Sequence, residues 1–444
     1  MVNVECFEDL PESILLRIFN CLNQKDKWRL RAVSKQWKSL LCDFALWSVV
    51  DLSTFPCDDT DIMCGALEQI STDGIKLIAS KKQFVSIDVL SLILGLTSRL
   101  QGFQFTNCRF QSGLDNTGRL QFPVAGQPRV IDLRRSVGNI DFMYDCLKLF
   151  ARNLELLALP NNFNTERNFV SRFPWSLSSL RFLELSECSW VKDSVMSDIA
   201  DNCPKLEMLN LFKCINLQGS ALGRLINQCT ELNTLVLRRT SIRDEYFSKV
   251  EWQCSKIAEL DLSHCYYLDE MSSVSVVTKC LHRLTYLCCA VTDHVIDYIA
   301  QTNDLKLKTL ELRRRHPVSI ERLAHMISNC KQLQVLDVSL TPFDSDMFLK
   351  MLPHLPRLKW ISFAGHEVLR TSDVLRLLSE YNKDIETIGI NYYHSTDDQQ
   401  IKSSILSTLL ACAKLKSISL QGNLISILVN FSFLGHNINN YKYN

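Results

Sequence analysis

Cys288 and Cys289 stand in the chain with His282 on one side and His294 on the other, and a thiol beside an imidazole is the raw material of a nucleophile. The leucine repeat of the chain puts Cys289 in a leucine slot, where it is expected to be buried and inert, and turns Cys288 toward an open face without a base that spacing can position. Arg313, Arg314 and Arg315 form the densest cationic cluster. Guanidinium forks of this kind suit carboxylates, phosphorylated ligands or a polyphosphate, unless neighbouring acids simply neutralise them. The chain has no G-x-x-x-x-G-K-S/T, H-E-x-x-H or G-x-S-x-G, and its cysteines and histidines do not take zinc spacings. No catalytic residue, metal ligand or cofactor is therefore expected.

The elements that position these residues are set by a repeat. Over 444 residues, with 46% hydrophobic content and only 14 Gly and 11 Pro, the chain is rich enough to fold throughout. The pattern L-x-x-L-x-L-x-x-(C/N/T) is clearest at Leu180/Leu183/Leu185/Cys188, Leu206/Leu209/Leu211/Cys214, Leu232/Leu235/Leu237/Thr240 and Ile257/Leu260/Leu262/Cys265. The frame continues forward through Leu284, Leu307, Leu333, Leu358, Ile385 and Leu415, and backward through Leu154, Pro128 and Leu100, giving 13 coils of about 26 residues. Trp47/Val50/Leu52 and Thr72/Ile75/Leu77 keep the step and raise the count to 15. One coil cannot bury the leucines of its strand. Stacked coils can, so the expected fold is an α/β solenoid, a horseshoe with parallel strands on the concave face and helices on the convex one.

Cysteines mark two phases of the repeat. Cys203, Cys229, Cys254, Cys330 and Cys412 stand three before the first leucine and Cys280 four before, whereas Cys108, Cys188, Cys214 and Cys265 close the strand. Among 18 cysteines there is no C-x-x-C, and acidic Glu5, Glu8, Asp9 and Glu12 occupy the start where a secretory signal would be basic. Buried thiols in a reducing cytoplasmic or nuclear compartment are the expectation. The 49 basic and 48 acidic residues give no global field toward nucleic acid or a membrane, and the apolar runs at 89–96 and 424–429 are too short to span one. Over about residues 100–423 the pattern C-x-x-L-x-x-L-x-L-x-x-C resembles the cysteine-containing leucine-rich repeats typical of F-box proteins.

Ahead of the repeats the pattern changes. Leu10-Pro11-Glu12-Ser13-Ile14-Leu15-Leu16-Arg17-Ile18-Phe19 reads as an amphipathic helix, with Asp9 or Ser13 able to cap it, Pro11 suited to its first turn, and Ile14, Ile18 and Leu22 sharing a face. After a break at Asn23 to Asp26 come Trp28, Val33-Ser34-Lys35-Gln36-Trp37 and Leu46-Trp47. Residues 5–50 are too few for more than a small core, which invites a partner. The order of these motifs resembles the F-box. That resemblance implies that Leu10, Pro11, Ile14, Leu15, Ile18 and Phe19 contribute to a surface for a Skp-type adaptor, and that Trp37, Leu46 and Trp47 join helices to linker. Lys27 and Ser34 depart from the family pattern, which favours an apolar residue and a cysteine there; Lys27 either weakens local packing or the adaptor contact, or lays its stem along Trp28 with the ammonium in water. A helical cap on the first coil is the alternative reading of the module.

In residues 51–423 the side chains between buried leucines should face outward on the strand side. Val130, Leu156, Phe182 and Met208, with Phe212 beyond, form an expected apolar patch for a protein substrate. Asp132, Glu184, Asp261, Glu311 and Asp337 are expected to line the same face beside Arg238, Arg313 and Arg314. The resemblance implies a non-catalytic recognition subunit that reaches a cullin and a RING subunit through the adaptor and presents substrate for ubiquitination. A non-degradative scaffold and a ligand-sensing receptor remain open alternatives. Residues 424–444 break the frame and are expected as an irregular tail.

Overall fold

A computed structural model describes residues 10–54, 65, 67–70, 74–81, 84–111, 126–138, 140–161, 176–302, 305–314, 319–339, 345–363, 371–391 and 398–421. The chain divides into two units, Met1–Lys256 with Cys265–Tyr267, and Ile257–His264 with Leu268–Asn444.

The first unit opens with three short helices: α1 (Glu12–Asn20), α2 (Gln24–Leu30) and α3 (Lys35–Leu40). Pro11 precedes α1 as its N-cap without a side-chain bond, and Ser13 lies inside the helix rather than capping it; Asp9 lies outside the described residues. Asn23 caps α2 by accepting from the Asp26 amide at 2.9 Å. Ser34 caps α3 by accepting from the Trp37 amide at 3.2 Å. The departure at Ser34 therefore has a local structural use, since a hydroxyl satisfies a helix-end amide well. Leu15 and Phe19, not Ile14 and Ile18, are the buried face of α1. Phe19 meets Trp37 edge-on at 5.2 Å, and Trp28 packs on Trp47 at 4.6 Å. Lys27 is buried: its ammonium donates to the Leu46 carbonyl at 3.2 Å and sits 5.9 Å from the centre of the Trp47 ring. The expectation of a solvated ammonium along Trp28 is thus corrected, because the Trp47 face and the Leu46 carbonyl replace water around it.

Eight parallel strands come next in chain order: Val49–Asp51, Leu77–Ser80, Gly102–Phe105, Val130–Asp132, Leu156–Ala158, Phe182–Glu184, Met208–Asn210 and Thr234–Val236. Their central residues, including Val50, Ile78, Ile131, Leu183 and Leu235, are buried. Both weak coils thus supply strands. In the second of them the frame slips, because Ile78 rather than Ile75 stands between Val50 and Phe103 in the ladder. The second unit continues the pattern with seven parallel strands, Glu259–Asp261, Tyr286–Val291, Thr309–Arg314, Val335–Asp337, Trp360–Ser362, Thr387–Asn391 and Ser417–Gln421. The linking helices bury one apolar stripe each, as Val195, Met196, Ile199 and Ala200 do in Asp193–Asn202, and Leu323, Ala324, Met326 and Ile327 do in Ile320–Asn329.

Six of the coils leave the ladder through a tight left-handed turn. Asn107, Arg135, Glu187, Lys213, Arg239 and His264 adopt φ between 56° and 63°, and none is glycine. Such a backbone costs about 1–2 kcal/mol per residue. Its use lies in the next residue along, which is Cys108, Ser136, Cys188, Cys214, Thr240 or Cys265, all buried. Cys108 donates to the Ser80 carbonyl at 3.4 Å, Ser136 to Phe105 at 2.6 Å, Cys188 to Pro160 at 3.6 Å, Cys214 to Leu185 at 3.1 Å and Cys265 to Leu237 at 3.0 Å. In these five coils the turn thus places a small buried donor against a carbonyl of the preceding coil, whereas Thr240 donates to the Leu237 carbonyl of its own coil at 2.6 Å. No helix among the described residues is long and apolar enough to cross a membrane. The expected tail at 424–444 lies outside the described residues.

Candidate functional site

Two surfaces carry the residues singled out by their chemistry. On α1, Pro11 and Ile14 are exposed, Ile14 by 38%, while Leu10 and Ile18 are half-buried. Leu15 and Phe19 are fully enclosed in the module, so of the six residues expected on the adaptor-facing surface these two support it from beneath. The i, i+4 stripe of Ile14, Ile18 and Leu22 is the side of α1 that the module's own core leaves open.

This module is tied directly to the first strand. The Gln24 side chain accepts from the Asp51 amide at 2.8 Å and donates to the Val49 carbonyl, so one carboxamide takes both backbone groups of an edge strand. Trp47 donates from its indole to the Leu41 carbonyl at 2.6 Å. Arg31 adds a bond to Gln69 at 2.8 Å.

The strand face of the first unit forms the second surface. Val130, Leu156, Phe182 and Met208 stand directly opposite one another on four successive strands, each half-buried, about 5 Å apart from neighbour to neighbour. Thr234 continues the column. Phe212 and Arg238 lie on adjacent coils, with the guanidinium 5.5 Å from the ring centre, so the apolar column is bordered by a cation held on an aromatic face. In the second unit the corresponding repeat position holds Tyr286, Thr309, Val335 and Trp360 on four successive strands, all half-buried. These were legible by extending the position before the second leucine into later coils. Arg313 and Arg314 lie in the strand Thr309–Arg314, opposite Ala290 and Val291; their side chains, like the whole of Arg315, lie outside the described residues.

The acidic column differs from expectation. Asp132, Glu184, Asp261, Glu311 and Asp337 are all buried. Several of them hold the backbone two residues ahead: Asp132 accepts from the Arg134 amide at 3.1 Å, Glu184 from Ser186 at 2.9 Å, Asp261 from Ser263 at 2.8 Å and Asp337 from Ser339 at 3.0 Å. Asn210 does the same for Phe212 at 2.9 Å and donates to Glu184 at 2.7 Å. These short side chains close the strand ends, as Asx turns do, and are not free to meet a charged ligand. Burial pushes the Glu184 carboxyl above its ordinary range against the pull of these hydrogen bonds. A charge ladder that pattern-reading missed lies at the strand starts: Arg129 pairs with Glu155 at 3.0 Å, and Arg181 with Glu207 at 2.6 Å.

The thiols sort as packing groups. Cys289 is buried, and burial pushes its thiol up to about 12; Cys288 is buried too, where an open position was expected. Burial likewise raises Cys214 and Cys330 to about 12. A thiol held protonated in this way is a poor nucleophile. Cys254 breaks the expected rule for its phase and is exposed. Among the described residues every cysteine is free, and no group of three His, Cys, Asp or Glu could hold a metal ion.

Residues 7–53, which contain the three helices and the first strand, match the F-box-like family. The chain thus carries an F-box-like module ahead of a parallel strand ladder, and proteins similar to parts of it include two F-box/LRR-repeat proteins. It is 24% identical over 207 residues to F-box/LRR-repeat protein 4 of Bos taurus, covering 46% of this chain and 29% of that one. To F-box/LRR-repeat protein 12 of Bos taurus it is 45% identical over 49 residues, 11% of this chain and 15% of that one. To the antagonist of mitotic exit network protein 1 of Saccharomyces cerevisiae it is 43% identical over 58 residues, 13% and 11% of the two chains. The matched part thus spans under a third of the length of each of these relatives. Among solved structures the yeast complex of Rad7 and Elc1 aligns with a TM-score of 0.36 at 14% identity, over 85% of this chain and 88% of that one. The F-box-like helices and the strand ladder meet here at Gln24, whose side chain bonds both Val49 and Asp51.

Proposed function

We propose that this F-box/leucine-rich-repeat chain is the substrate-recognition subunit of an SCF-type ubiquitin ligase. Its F-box docks on a Skp-type adaptor, and through it on a cullin and a RING subunit. The strand face of the repeats holds a protein substrate for ubiquitination and proteasomal degradation, in the cytoplasm or nucleus. The observation that carries this reading is the apolar stripe of Pro11, Ile14 and Ile18 on a helix whose adjacent face, Leu15 and Phe19, already completes the module's core. Apolar surface left over after a core is complete commonly marks a partner site. The half-buried column from Val130 to Met208 supplies a second such surface.

The chain's contribution is proximity. Ubiquitin transfer is done by the RING subunit's conjugating enzyme, and holding a substrate lysine nearby makes the encounter effectively intramolecular. The bonds from Gln24 to Val49 and Asp51 favour this, because they fasten the first strand to the docking helices.

The test is affinity capture of the full chain from cells with proteasome activity blocked. Adaptor and cullin are expected with the wild type and absent with Ile14→Asp, and substrates are expected to accumulate on the Ile14→Asp chain. Failure of the intact protein to capture an adaptor would overturn the proposal. Capture without any bound protein changing its lifetime would favour a non-degradative scaffold.

A further inference from the structure

The turns after the strands Leu77–Ser80, Gly102–Phe105 and Val130–Asp132 enclose a groove of about 370 Å3 lined by Lys81, Asn107, Cys108, Arg109, Arg135 and Val137. The groove sits at the small end of the range for ligand pockets. It is set apart from the apolar column, on the side where the chain leaves the ladder. Of its lining residues Arg109 belongs to a second, two-stranded sheet, with Phe84–Ser86 parallel to Arg109–Gln111, and is bridged onward to Val137. Phe110 donates to the Val137 carbonyl and Val137 to the Cys108 carbonyl, both at 2.8 Å, so the backbone beneath the cations is fixed.

Three cations converge there, one from each coil. Lys81, Arg109 and Arg135 are all exposed, and among the described residues no acidic side chain lines the groove and none of the three takes part in an ion pair. Two acids of these coils, among the described residues, are engaged elsewhere: Asp51 accepts from Ser53 and Asp132 from Arg134. Other coils show how this position looks when it is neutralised. Arg135 belongs to the series of left-handed turn residues, and two coils on Glu187 occupies that place and pairs with Lys213, its successor, at 3.1 Å. Around Arg135 the same series supplies only Asn107 before it. Glu187 and Lys213 thus neutralise this position two coils on, whereas Arg135 has no acidic partner among the described residues.

We propose that this groove binds an acidic peptide segment through side-chain carboxylates. The three charges are spread over three coils at roughly 5 Å per coil, which suits several single negative charges along an extended chain better than one compact anion. The two arginines offer planar forks for carboxylates, and the exposed Val137 gives the peptide an apolar wall. The groove does not need the adaptor, so its occupancy is separable from the proposed ligase role.

The test is a fluorescence-anisotropy titration of the full chain against a labelled hexaglutamate peptide at low salt, with a hexaglutamine peptide and pyrophosphate as comparisons. Hexaglutamate is expected to bind at least tenfold more tightly than hexaglutamine. Arg109→Gln with Arg135→Gln should weaken it at least tenfold, whereas Arg152→Gln, another exposed cation of the first unit, should leave it within twofold. Matching unfolding midpoints among the variants exclude misfolding as the cause. Equal hexaglutamate binding by the double variant would overturn the proposal, and so would binding of pyrophosphate without hexaglutamate.

Discussion

Replacing Gln24 by Leu keeps the side-chain volume and removes both bonds to the first strand. The Asp51 amide, now held at 2.8 Å by the Gln24 carbonyl oxygen, loses its acceptor, and the Val49 carbonyl loses a donor. Thr54 loses a longer contact to the same oxygen at 3.3 Å. At about 1 kcal/mol of net stability for each of the two backbone bonds, closure of the junction weakens by about 2 kcal/mol, or roughly a thirtyfold change in its opening equilibrium. Hydrogen exchange on the full chain reads this directly: protection at Asp51 should fall by about that factor, while the strand Phe182–Glu184, several coils away, keeps its rate. Gln24→Glu retains the acceptor and loses the donor, so it should fall between wild type and Gln24→Leu. If Asp51 exchanges at the wild-type rate in Gln24→Leu, the first strand is held by its neighbour Leu77–Ser80 alone and the fastened junction is wrong.

Adjacent residues of α1 should separate docking from folding. Leu15→Ala removes a wholly buried side chain and should cost about 2–5 kcal/mol in denaturant unfolding, whereas Ile14→Asp, at an exposed position, should move stability by about 0.5 kcal/mol or less while abolishing adaptor capture. Phe182→Asp, in the centre of the half-buried column, should abolish capture of the bound substrate without loss of the adaptor; retained substrate would remove the strand face from the site. Glu184 gives a pH signature. Its folded carboxyl titrates above the ordinary value of 4.5, so its favourable contribution is complete below that value and is lost as pH rises through the folded one. Wild type should therefore lose stability relative to Glu184→Gln as pH rises from about 4.5 toward neutrality, and a difference in unfolding midpoint that stays flat with pH would refute this.

The positions of the strands were legible because a leucine that must be buried every coil leaves a periodic mark, and even the weak first coil at Val50 obeys it. The coil that slipped did so for a physical reason: Ile75, Leu77 and Ile78 offer two overlapping apolar frames, and only pairing against Phe103 chooses between them. Alternation placed Phe182 and its neighbours on the strand face. It also placed Glu184 and Asp132 there, and it could not show that their carboxylates turn back onto the amides two residues ahead, because that depends on the φ of the turn. On α1 the spacing of Ile14, Ile18 and Leu22 identified an apolar stripe but not which way it faces. Leu15 and Phe19 make an equally good i, i+4 stripe, and the aromatic partner Trp37 decides between them.

The ladder of Arg129, Glu155, Arg181 and Glu207 has a period of two coils, whereas the strands and turns repeat with every coil. These four coils therefore have a parity. Excising one coil, from Leu180 to Lys205, would rejoin the strands in register but bring Glu155 against Glu207, like charge on like charge. Excising two, from Leu154 to Lys205, would restore an opposite pair, Arg129 against Glu207. Chemical denaturation of the two deletion variants would compare these cases: if the shorter chain is the better behaved, the rim charges count the coils in pairs, and the repeat gains or loses length most easily by even steps.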